Sequence, residues 1–206
     1  MKKGKAAFSP DIQANDTDSK IIVALERIAE AFRVLLWNES KQYSLSPIQV
    51  QLLIFLHTHP PVQRKVSYLA LEFNMTKATI SDAVRVLEEK KLIRRETEAA
   101  DSRSYIFHLT AEGEKITEKL SLFANPMRQP LSEFTAEEKE TLLNGLLHLV
   151  YNLHQEKTIA VQRMCFTCRH YTSGKKKKEH YCSLLRVKLK TSELRIDCAE
   201  HEYEIT

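Results

Sequence analysis

Four cysteines, Cys165, Cys168, Cys182 and Cys198, lie in the last third of the chain, and it has no others. They run as Cys-x2-Cys, then thirteen residues to the third and fifteen more to the fourth. Thiolates are soft donors that bind zinc or build iron–sulfur clusters. All four Cys together would hold either zinc or a [4Fe-4S] cluster. A mixed set, with His180 or His201 replacing one Cys, would favour zinc. Zinc is the commoner occupant in general, but its sites often pair two knuckles, and only Cys165-Phe-Thr-Cys168 is present here. The missing second knuckle pulls back towards iron–sulfur, so zinc and cluster both stay open. The bland alternative is four unrelated thiols, with Cys182 and Cys198 simply buried. Their confinement to one terminal segment argues for a shared centre.

The chain carrying them has 206 residues, enough for one large domain or a domain plus an appendage. Hydrophobic residues make up 43% and charged residues 28%, as in an ordinary globule. Only 4 Gly and 6 Pro point to mostly helical structure. The net charge of +4 permits an anionic partner without demanding one. No apolar run approaches the ~18–20 residues of a membrane span, and Met1 to Phe8 is basic without the apolar core of a signal peptide. A cytoplasmic protein is expected, where thiols stay reduced and serve metal or redox chemistry. There is no P-loop, no Gly-x-Ser-x-Gly and no dinucleotide fingerprint, so an enzyme is not expected.

The elements that position the cysteines read as follows. Residues 1–16 are polar and expected to be flexible. From Asp18 to Trp37, Ile21, Leu25, Ile28, Phe32 and Leu35 recur at helical spacing. Ser46-Pro47 opens a second helix burying Val50, Leu53, Ile54 and His57, and His59-Pro60-Pro61 ends it. A short helix from Ser67 to Phe73 and a turn at Asn74-Met75 precede a helix capped by Thr76. That helix buries Ile80, Ala83, Val84 and Leu87 and ends near Lys91. Two such helices read as helix-turn-helix. Leu92–Glu96 and Tyr105–Leu109 read as strands joined by Thr97 to Ser104, a wing. A helix from Thr110 to about Phe123 follows, and Thr135-Ala-Glu-Glu138 caps a last one, continuing towards Arg163. The fold class is mainly α with a β-hairpin wing. Residues 17–163 would form the winged-helix and dimerisation domain, and 164–206 a Cys-rich metal-binding module.

Three stretches carry a resemblance: Leu45-Ser-Pro-Ile-Gln-Val-Gln-Leu-Leu; Thr76-Lys-Ala-Thr-Ile-Ser-Asp-Ala-Val-Arg-Val-Leu-Glu-Glu-Lys-Lys-Leu-Ile-Arg-Arg; and Asp101-Ser-Arg103 with Leu109-Thr-Ala-Glu-Gly113. Over about residues 20–155 they resemble the MarR family of bacterial repressors. The resemblance implies a homodimer whose first and last helices interlock and whose two winged helices reach one pseudo-palindromic DNA site. It also implies a ligand or redox input between the dimer helices and the DNA-binding lobe, so a small-molecule effector is a further expected partner. The physics suits these roles. With Ile80 inward, Ala78, Thr79, Ser81, Asp82 and Arg85 face outward or flank the groove-reading face. Thr76 and Lys77 stand at the helix N-terminus, where backbone N–H groups meet a phosphate. Arg103 at the wing tip suits a narrow minor groove. Arg94 and Arg95 lie at the wing base, and alternation lets only one face the phosphates.

This chain departs from the family pattern at Asp82 and Arg85, where the usual signs are exchanged; the two can pair with each other. Lys91 stands where the family has Gly, and Ser102 replaces a wing cation. Segment 45–110 holds nine Lys/Arg against seven Asp/Glu, a modest surplus. The run Lys175–Lys178 reads as a solvated loop, and His57 and His59 as helix-end residues. The order of one Cys pair and two single Cys resembles high-potential iron–sulfur proteins in spacing alone. The expected function is therefore a DNA-binding regulator, a repressor, with a C-terminal site that is structural or senses redox or metal status. The alternatives are a zinc-stapled interaction adaptor and an iron–sulfur electron carrier.

Overall fold

The computed structural model describes residues 6–98, 101–174 and 179–203. The stretch expected to be flexible holds a short helix, α1 (Pro10–Asn15), opened by its proline. Asp16 then caps α2 (Thr17–Gln42), accepting from the Ser19 N–H at 3.0 Å. This helix outruns the expected end at Trp37 by five residues; the buried Ser40 bonds the Leu36 carbonyl at 2.6 Å. Ser46 and Gln49 form a reciprocal capping box for α3 (Pro47–Thr58).

Helix α3 is the centre of the main core, packed against α2 and two later helices and the wing. Its apolar residues are therefore covered on two sides: Val50, Leu52, Leu53 and Leu56 are fully buried and Phe55 nearly so. His57, expected inward, is exposed, and Ile54 is half-buried. The polar ring takes the one side left open to water.

Helix α4 (Val66–Glu72) and helix α5 (Lys77–Glu89) are joined through Asn74, whose φ of 53° makes the tight turn. Thr76 caps α5 by accepting from the Thr79 N–H at 3.1 Å. Ile80, Ala83, Val84 and Leu87 are its buried residues, as the spacing predicts. Lys91 adopts φ 58°, the left-handed region, at a cost of ~1–2 kcal/mol for a residue with a Cβ. The bend is fastened: Lys91 N–H reaches the Glu88 carbonyl at 2.8 Å, and the Thr110 hydroxyl donates to the Lys91 carbonyl at 2.8 Å.

The wing is an antiparallel pair, β1 (Ile93–Glu98) and β2 (Asp101–Leu109), in register from Ile93 opposite Leu109 to Thr97 opposite Tyr105. Its ladder runs into the Thr97–Ser104 segment expected to be connecting loop. Thr110 caps α6 (Ala111–Leu120). A Cβ on Gly113 would sit on the Leu92 carbonyl oxygen, which explains the glycine. A 3-10 turn (Asn125–Met127) and α7 (Arg128–Ser132) carry Pro126 and Pro130, and α8 (Ala136–Gln155) begins with the predicted capping box. Helix α8 stops at Gln155, short of Arg163, and Lys157 turns left-handed with φ 59°.

The cysteine segment folds as an antiparallel meander, β3 (Tyr171–Ser173), β4 (His180–Cys182) and β5 (Val187–Leu189). Its small core joins Met164 and Leu194 to Leu147 of α8, with Phe166, Tyr171 and Leu189 packed around. The segment thus leans on the last long helix.

Candidate DNA-binding surface and cysteine site

Amphipathic α5 turns its apolar face to the core, which leaves Thr76, Lys77, Ala78, Thr79, Ser81, Asp82 and Arg85 exposed. The N-terminal half of the helix is open to solvent, as a groove-reading element must be. The cations around it have acidic neighbours. Arg85 contacts Asp82 at 3.3 Å and Glu89 at 3.2 Å, and these partners hold its proton more tightly than usual. Arg94 lies 3.3 Å from Glu96, and Arg95 lies 3.4 Å from Glu88 and over the Tyr105 ring. Exposed pairs of this kind are weak and screened by water, so a phosphate can displace the carboxylate. Arg103 belongs to β2, but its side chain lies outside the described residues, as does the whole run Lys175–Lys178.

The four cysteines, dispersed over 34 positions, are brought to one place. All four are reduced and partly buried, and all line a single cavity of about 30 Å³. Cys165 opens a 3-10 turn that places Cys168, whose N–H bonds the Cys165 carbonyl at 3.1 Å. Cys182 ends β4, opposite Tyr171 on one side and Val187 on the other. Cys198 is tied back by its N–H to the Arg163 carbonyl at 2.9 Å. Arg195 serves two sulfurs: its backbone N–H points to Cys165 Sγ at 3.2 Å and its guanidinium to Cys198 Sγ at 3.3 Å. Burial pushes the Cys165 thiol up; the Arg195 N–H opposes this, and the other three sulfurs add to it. Tyr171 is pushed up to about 12 by burial and by Cys165.

The histidines considered as substitute ligands sit elsewhere. His180 Nδ1 bonds the Tyr171 hydroxyl at 2.7 Å within an aromatic stack, and His201 Nε2 bonds the Thr167 hydroxyl at 2.9 Å. Neither lines the cysteine cavity; His170 does. Among the described residues, no three His, Cys, Asp or Glu side chains lie close enough to share one metal ion.

A second constellation was not foreseen. Arg163 is buried, at 7% exposure, and its guanidinium grips two elements at once. On the helix-turn-helix side it bonds Glu72 Oε2 at 2.6 Å, Glu72 Oε1 at 3.2 Å and the Tyr68 hydroxyl at 2.9 Å, all from α4. On the cysteine side it bonds Asp197 at 2.7 and 3.2 Å. His59 completes the knot, its Nε2 2.8 Å from Asp197 Oδ2 and its ring stacked on Phe55. It is thus a structural partner and not merely a helix end. Burial works against the Arg163 charge, but Glu72 and Asp197 outweigh it and hold the guanidinium firmly protonated. The bond from His59, with Arg163 behind it, holds the Asp197 carboxyl well below its usual range. The bonded partners are 34 to 138 positions apart, and no local spacing announces the pairs. The nearest signal is a lone arginine in the stretch Ile159-Ala-Val-Gln-Arg163-Met164, two residues before the first Cys.

The winged-helix part of the chain is similar to known proteins. Two solved structures of Staphylococcus aureus MepR, one a complex with DNA and one in a DNA-binding conformation, are each 26% identical to this chain with TM-scores of 0.57. They align over 64% and 65% of this chain and 96% and 98% of their own. The crystal structure of MarR is 27% identical, with a TM-score of 0.53, over 66% of this chain and 98% of its own. About a third of this chain has no counterpart in them. No helix among the described residues is long and apolar enough to cross a membrane. Residues 43–104, from the end of α2 into the wing, match the model of the MarR family.

Proposed function

We propose that this chain is a sequence-specific DNA-binding transcriptional regulator, a repressor, whose C-terminal cysteine site reports metal or redox status to the helix-turn-helix. The relatives studied with DNA support the first half, together with the exposed N-terminal half of α5 beside the wing. Homodimerisation suits the apolar side chains left exposed on the terminal helices. Ile21, Ile22, Val34 and Trp37 of α2 and Leu142 and Leu149 of α8 all face water in the single chain. Two copies would present two α5 helices to successive major grooves of a pseudo-palindromic site.

The observation that carries the second half is the Arg163 knot. Asp197, next to Cys198, and Glu72, on the first helix of the helix-turn-helix, share one buried guanidinium. A change that moves Cys198 therefore changes how α4 is held. A sensor needs one ligand state to favour one arrangement of the reading heads. The test is operator binding by full-length protein at physiological salt, with the cysteine site loaded and stripped. A specific fragment should be shifted, and stripping should change its affinity. Binding that ignores sequence and fades with salt refutes specific regulation. A metal-independent affinity, with Cys182→Ser lowering only the melting temperature, assigns the site a bracing role.

A further inference from the structure

We infer that the cavity walled by Cys165, Cys168, Cys182 and Cys198 is built for a four-iron, four-sulfide cluster and not for a single zinc ion. This deepens the reading of the tail as a metal-holding module and rests on it. The cavity volume is about 30 Å³. That exceeds one water-sized sphere of about 10–15 Å³, and it is the placing of the donors, not the volume, that separates the two occupants. A zinc ion gathers its thiolates to ~2.3 Å from one point. Here four sulfurs surround a common space, yet no three donors among the described residues converge as one ion requires. A cuboidal cluster asks for that arrangement, since each cysteine binds a different corner.

The walls agree. Tyr171, Leu184, Leu185 and Leu189 give the cavity apolar walls, with Glu193 and Glu200 also among its lining residues. Arg195 brings a backbone N–H and a guanidinium N–H to two of the four sulfurs. Hydrogen bonds and a cation at the sulfurs stabilise an anionic thiolate-ligated cluster and set its potential. His180 and His201 are bonded elsewhere, and His170, which does line the cavity, has its Nε2 3.3 Å from Glu202.

The experiment uses full-length chain purified without oxygen and offered, in separate arms, zinc or a pre-assembled [4Fe-4S] cluster in its small-thiolate complex. Each cysteine thiol passes its proton to a departing small thiolate, so the cluster changes ligands without changing oxidation level. The expected result is about four iron and four acid-labile sulfide per chain. A broad visible absorption should accompany them and be lost in Cys182→Ser. Arg195→Met should keep the cluster and shift its reduction potential, a readout that a merely structural arginine would not move. Tight uptake of one zinc, with refusal of the cluster, overturns the inference and leaves the metal module standing. Refusal of both overturns the module as well. Loading with an unchanged potential in Arg195→Met removes the role given to Arg195 and with it one support of the inference.

Discussion

The winged helix and the cysteine module are held together by different means. The first buries a continuous apolar core in which Leu52, Leu53, Leu56, Leu69, Ile80 and Leu87 are all inaccessible to water. Each such side chain contributes ~1.5–3 kcal/mol, and no bound group is required. The module has three three-residue strands and, as its own deeply buried apolar residues among those described, Met164 and Leu194. It borrows Leu147 from α8 and is pinned to α4 through Arg163. Small units with so little core depend on staples. The difference teaches that the winged helix carries a core of its own, while the module has little apolar burial besides what it shares with α8. That division suits the proposal of a DNA-reading part joined to a sensing part.

The largest effect should come from the core. Leu87→Ala removes a fully buried side chain and should cost about 3 kcal/mol in urea unfolding. The cost should be the same with the cysteine site loaded or stripped; a cost that depends on loading would merge the two regions into one. Gly113→Ala should cost about 2 kcal/mol, since the added methyl meets the backbone carbonyl of Leu92 at the wing base. Wing order, followed by hydrogen exchange of β1 and β2, should fall with it.

Arg163→Met tests the joint between the regions. Removing one partner from a buried ion pair costs ~3–5 kcal/mol. Asp197 is half-exposed, so about 2 kcal/mol is expected here, with protease cutting after residue 155 as the readout. Insensitivity to protease would mean that the small core alone docks the module. If the proposed metal is held there, stripping it should loosen the same segment and leave the winged-helix unfolding transition in place. Lys77→Ala should reduce the salt dependence of operator binding by about one counterion, if the α5 N-terminus meets a phosphate.

The smallest effect concerns α8. Hydrogen bonds from the Thr135 N–H and hydroxyl lower the pKa of the exposed Glu138. A lowered carboxylate contributes stability that is present above its ordinary pKa and lost as pH falls through the lowered folded value. Glu138→Gln should therefore flatten the acid side of the melting profile slightly. An unchanged profile would show that the cap does not depend on charge.

Much of the reading head was legible because its signals are local. The spacing of Ile80, Ala83, Val84 and Leu87, and the caps Ser46, Thr76, Thr110 and Thr135, each depend on neighbours within one or two turns. Where the reading failed, longer contacts decided. His57 turned outward because α3 is covered on two sides, and α8 ended early at Gln155. By itself the sequence determined the helix-turn-helix, the wing, and the four cysteines as a set, since periodicity, caps and residue type act over short separations. Tertiary structure alone decided that the four sulfurs border one cavity without His180 or His201, and that Arg163 joins Glu72 to Asp197. Such contacts between distant segments depend on how whole elements pack, and burial, which gives that arginine its weight, leaves no mark in local spacing.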